Sequence, residues 1–109
     1  MAQTSGSFFV LVALSKGPSH GLGIAEDVAA FTEGQVLLGP GTLYRCLREL
    51  AEAGSIERVD INEGPDVRHR KYYRLTPAGE AEAVCTLRGL TRLTEVGRAR
   101  LGAPLTQGA

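Results

Sequence analysis

Residues 39–61 read GPGTLYRCLRELAEAGSIERVDI, and their spacing decides the fold. Pro40 stands where proline is welcome, in the first turn of a helix, because the N–H it lacks has no intrahelical partner there. Ala53-Gly54 ends that helix, and the run rich in isoleucine and valine at 56–61 begins a strand. On a wheel advancing about 100° per residue, Leu43, Leu47, Leu50, Ala51 and Gly54 share an arc of roughly 100°, the expected core face. The opposite arc, roughly 120° wide, holds Thr42, Arg45, Arg48, Glu49 and Glu52, with Tyr44 and Cys46 on its flanks. Two arginines therefore face outward together.

Upstream, residues 8–15 are apolar almost throughout, and periodicity alone fits either a short buried helix or a strand; Gly17-Pro18 ends the segment. Ile24, Val28 and Phe31 then recur at i, i+4 and i+7, which predicts an amphipathic helix over 20–31 capped by Ser19 or His20. Downstream, the strand at 56–61 pairs with a second at 71–75 across the turn cluster Asn62-Glu63-Gly64-Pro65-Asp66, giving a hairpin with a long tip. Thr76 reads as an N-cap and Pro77 as the first residue of a helix running through 78–101, interrupted by Gly89 and Gly97. Its apolar residues Val84, Leu87, Leu90, Leu93 and Val96 step by three, so their stripe drifts about 60° per step and does not stay on one packed face. So much apolar surface on so small a domain predicts a homodimer joined through Leu87, Leu90, Leu93 and Val96. The expected organisation is a DNA-binding domain at 1–76, a dimerisation helix at 77–102 and a flexible tail at 103–109.

The composition bounds these readings. With 109 residues and 43% hydrophobic content the chain has enough apolar material for one core and no more. Twelve basic and twelve acidic residues balance, which excludes a histone-like arm and an acidic disordered tail, so any charge-based function rests on local clustering. Two cysteines make no disulfide scaffold, no apolar run is long enough for a bilayer, and the segment at 8–14 lacks the basic flank of a secretory signal, so the expected setting is the cytoplasm. Clustering is present: between 67 and 74 stand Arg68, Arg70, Lys71 and Arg74 with His69, Tyr72 and Tyr73, and no acid.

Three helices, a hairpin with a basic second strand and a long final helix make an α+β, mostly α chain of the winged helix-turn-helix class. In such a fold the third helix enters the major groove, where Thr42, Tyr44, Arg45 and Arg48 are the expected contacts. Glu49 either selects cytosine or tethers Arg45 through an i, i+4 pair. The hairpin residues Arg68, His69, Arg70 and Lys71 are expected on the backbone or in the minor groove, where they position without specifying.

The strings GPSHGLGIAEDV, LGPGTLYRCLRELAEAGSIERV and RHRKYYRLTPAGEA, in this order and spacing, resemble the PadR family of bacterial transcriptional regulators over roughly residues 8–82. The resemblance implies a winged-helix dimer that represses promoters at an inverted-repeat operator, with the C-terminal helix crossing its partner and often a small aromatic effector that relieves repression. This chain departs from the family pattern at Gly39, usually Ser, and at Arg45, usually Pro, and by Leu22-Gly23 where an aromatic residue and often Glu follow His-Gly. Some short members hold flat drugs against a tryptophan of the C-terminal helix, and this chain has no Trp.

Enzymatic readings find no support. Gly21-Leu22-Gly23 lacks a third glycine and a preceding strand, and Gly39-Pro40-Gly41-Thr42 lacks the lysine of a phosphate loop. His20 and His69 lie far apart with the cysteines on other elements, so neither metal-ligand spacing nor a nucleophile-base pair is present, and neither cofactor nor metal is expected. His20 reads as a cap or packing residue, Gly21 as a site of close helix approach, and Cys46 and Cys85 as buried thiols. The competing reading is a winged helix that binds another protein or a small ligand and has little specific DNA affinity.

Overall fold

The computed structural model describes residues 5–61 and 70–102. Its elements run α1 (Gly6–Leu14), β1 (Ser19–His20), α2 (Gly21–Phe31), α3 (Pro40–Glu52), β2 (Ile56–Val59), β3 (Tyr72–Leu75) and α4 (Pro77–Leu101). The apolar segment that fits helix or strand is a helix. Phe8, Val10, Leu11, Ala13 and Leu14 are buried, and α1 packs against α2, α3 and α4 and touches β3. A helix surrounded in this way can be apolar on every side, which is why its sequence shows no amphipathic period.

Ile24 and Val28 of α2 join that core, together with Leu43, Cys46, Leu47 and Leu50 of α3 and Ile56 of β2. Three expectations of burial fail. Phe31 is exposed at the end of α2, where its ring meets that of Phe9 at a centroid distance of 6.5 Å. Ala51 and Gly54 are exposed because the buried stripe of α3 is centred between Leu43, Cys46, Leu47 and Leu50, the i, i+3, i+4, i+7 set, which leaves Ala51 on its margin. Gly54 serves instead as the left-handed residue that closes α3, with φ +81°. The Ser55 amide donates to the Leu50 carbonyl at 2.9 Å and the Gly54 amide to the Ala51 carbonyl at 3.1 Å, the paired bonds of a Schellman motif. Cys46 is buried as expected, but Cys85 is exposed on α4.

The sheet has the order β1-β3-β2, all antiparallel. The hairpin pairs Ile56 with Leu75 and Val59 with Tyr72, so its strands are shorter than the expected 56–61 and 71–75. Its turn cluster lies outside the described residues, as does the tail at 103–109. Strand β1, unforeseen in the sequence, pairs Ser19 with Tyr73 and His20 with Tyr72 and ties the start of α2 to the hairpin. Thr76 caps α4, its hydroxyl accepting from the Gly79 amide at 3.1 Å and donating toward the carbonyls of Gly54 at 2.6 Å and Ser55 at 3.0 Å. Twenty-five residues make α4 about 37 Å long, and the molecule is correspondingly elongated at 56 × 30 × 23 Å. Among the described residues no helix is long and apolar enough to cross a membrane.

Candidate nucleic-acid interface

Helix α3 starts after Gly39, which offers no side-chain cap, so Pro40 at the first position does the work of setting the helical φ. From there Thr42, Tyr44, Arg45 and Arg48 all project into solvent while Leu43 and Leu47 hold the helix to the core. Among the described residues neither Arg45 nor Arg48 forms an ion pair; Arg45 and Glu49 are not tethered, and the pairs formed are Lys16–Asp27 and Arg74–Glu57. Unpaired guanidinium groups keep all their donors available, and a planar fork of donors is the chemistry that reads guanine O6 and N7.

Tyr44 leans from α3 toward the start of α2: a β-carbon on Gly21 would stand 3.1 Å from its hydroxyl. The buried Gly21 thus permits the close approach expected of it. Tyr44 shares a cleft of about 360 Å³ with His20, Gly21, Leu22, Arg70 and Lys71. The fold therefore brings Tyr44, Arg70 and Lys71 together from two elements, whereas Thr42, Arg45 and Arg48 lie on α3 outside that cleft. Arg68 and His69 lie outside the described residues.

His20 is placed here by two neighbours. Its Nδ1 accepts from the Gly23 amide at 3.2 Å, capping α2, and its ring meets the edge of Tyr72 at 5.1 Å between centroids. Its Nε2 lies 3.1 Å from Nη1 of Arg70. The sequence reading assigned His20 only a local role, because its neighbours across the cleft are about fifty positions away and no short-range pattern signals them.

On α4, Leu87, Leu93 and Val96 are exposed and Leu90 is half-buried; Val84 and Leu101 are exposed as well. Leu93 keeps 63% of its surface in solvent, a large apolar exposure for a leucine in a helix interior.

A three-helix core, a small antiparallel sheet and an outward-facing third helix define a winged helix-turn-helix protein. The family follows: the description "Transcriptional regulator PadR-like family" matches residues 10–84, and the chain belongs to that family, one of regulators and not of enzymes. Among solved structures it is similar to a transcriptional regulator from Clostridium thermocellum, at 26% identity and a TM-score of 0.70, covering 83% of this chain and 84% of that one. A PadR family transcription regulator from hypervirulent Clostridium difficile R20291 superposes with a TM-score of 0.75 at 23% identity, covering 87% and 96%. Bacillus subtilis PadR, in a structure with operator DNA, has a TM-score of 0.64 at 23% identity, covering 74% of this chain and 46% of that one. A search of curated proteins finds no match.

Proposed function

We propose that this protein is a homodimeric, sequence-specific DNA-binding repressor. The observation that carries the reading is the exposed α3 face, on which Thr42, Tyr44, Arg45 and Arg48 stand clear of the core. Arg45 and Arg48 read base edges in the major groove, and Thr42 and Tyr44 hold phosphates. The hairpin residues Arg68, His69, Arg70 and Lys71 lie along the backbone or minor groove. Residues 1–76 form the DNA-binding unit, 77–102 the dimerisation helix and 103–109 a tail. Membership in a family of transcriptional regulators supports this reading, and so does the operator complex of the Bacillus subtilis relative.

Dimerisation follows from α4. Leu87, Leu90, Leu93 and Val96 meet the same surface of a second copy across a two-fold axis, which covers the apolar residues that a lone protomer leaves wet. The axis sets two α3 helices on an inverted repeat with half-site centres roughly 34 Å apart. A small aromatic effector relieves repression by shifting that spacing. The deciding experiment is selection of bound sequences from a random duplex pool, followed by affinity measurements across salt concentrations. An inverted repeat with a steep salt dependence is expected. No enrichment and a flat salt response would favour a protein-interaction module instead.

A further inference from the structure

We infer that His20 and Arg70 together seat one backbone phosphate of duplex DNA in the cleft between α3, the start of α2 and the entry to β3, with His20 donating from Nε2. The inference rests on the DNA-binding reading above and adds to it a residue that carries no net charge.

The argument is one of proton inventory. A neutral imidazole has one N–H and one lone pair, and a guanidinium has donors only. The Gly23 amide donates to Nδ1 of His20, so the lone pair is there and the proton is on Nε2. That Nε2–H faces Nη1 of Arg70 at 3.1 Å: two donors converge, and no described residue supplies an acceptor between them. The opposite tautomer would accept from Arg70 but strand the Gly23 amide. Of the two bonds the cap is local and partly buried, whereas the Arg70 contact is exposed and spans fifty positions, so the cap prevails. Tyr72 and the β1–β3 pairing hold the ring in place, so the Nε2–H stays aimed into the cleft.

Lys71 and the Tyr44 hydroxyl line the same cleft, and its described lining contains no carboxylate. An oxyanion with several lone pairs satisfies all of these donors at once. The cleft adjoins α3 through Tyr44, so the oxyanion it meets when α3 lies in the groove is a phosphodiester of that same duplex.

The test is His20→Asn. Asparagine caps a helix through its side-chain oxygen but has no atom where Nε2 stood. Binding to a selected duplex and to an unrelated one is measured by fluorescence anisotropy at several salt concentrations, alongside thermal unfolding. The expected result is unchanged unfolding, a loss of roughly three- to tenfold in affinity on both duplexes, and an unchanged salt slope, because the lost donor is uncharged. Arg70→Gln, by contrast, lowers the slope by about one. A methylphosphonate at the seated position weakens the wild type but not His20→Asn. His20→Asp, which caps equally well but sets a carboxylate against Arg70, loses more than about tenfold and keeps the inference testable should the asparagine variant fold poorly. Wild-type affinity in both variants, or losses that only track stability, would overturn the seat and leave the DNA-binding reading standing. Inorganic phosphate shifting the His20 imidazole resonances, with no effect of His20→Asn on DNA, would assign the cleft to a free anion and overturn it too. Absence of any duplex affinity in the wild type would overturn both readings.

Discussion

Gly79 lies so close to Ser55 that a β-carbon on the glycine would stand 2.0 Å from the Ser55 carbonyl oxygen. This contact sets where α4 leaves the winged domain. Backbone occupies both sides of it, so neither can yield by rotating a side chain. Around it, Thr76 binds the Gly54 and Ser55 carbonyls and the Ser55 hydroxyl donates to Glu82 at 2.7 Å. Gly79→Ala is expected to cost about 3 kcal/mol or more, and Thr76→Ala about 1 to 2 kcal/mol through the lost cap, both read by denaturant unfolding. Equal, small losses would mean that α4 is not pinned at this point.

Arg45 and Arg48 are the test of base reading. Each replaced singly by alanine should cost about 1 to 3 kcal/mol on the selected operator and broaden base choice at one position per half-site. Affinity measured on a panel of single-base variants checks this. A uniform loss over the panel would make them phosphate contacts.

The basic hairpin should behave in the opposite manner. Arg68→Ala combined with Arg70→Ala should weaken operator and unrelated DNA by similar factors and reduce the salt slope by about two, one for each phosphate charge removed. Gel shifts in a salt series give both quantities. Loss confined to the operator contradicts it.

Leu90→Glu with Leu93→Glu places two carboxylates on the α4 stripe. Sedimentation is expected to show monomers, circular dichroism to show retained helix, and gel shift to show loss of tight operator binding, since one half-site alone is then engaged. A variant that stays dimeric with its helix intact would place the interface elsewhere, the α1 segment being the next apolar candidate.

The two thiols should differ sharply. Cys85, exposed on α4, should react with a thiol reagent in the native protein, and Cys46, buried beside Leu47 and within reach of Gly6, only after unfolding. Cys85 protected in the native dimer and exposed in the Leu90, Leu93 variant would show that the partner covers it.

Much of this architecture was legible in the chain because the signals that encode it are local. Pro40 and Ala53-Gly54 bracket α3, Thr76-Pro77 starts α4, and the i, i+4 recurrence of Ile24 and Val28 marks α2, each set by backbone sterics or helical geometry within a few residues. The outward placement of Thr42, Tyr44, Arg45 and Arg48 follows from the same 3.6-residue period. What tertiary structure alone decided is whatever depends on distant partners. Only packing against three other helices made residues 6–14 a helix, since a segment buried on all sides has no period to read. Two residues cannot announce a strand, so β1 exists only through its pairing with Tyr72 and Tyr73. That pairing is what carries His20 from a helix cap to the wall of a cleft facing Arg70, a juxtaposition that no spacing within the chain encodes. Cys46 and Cys85, alike to a reading by composition, were separated into buried and exposed by which helix face met the core.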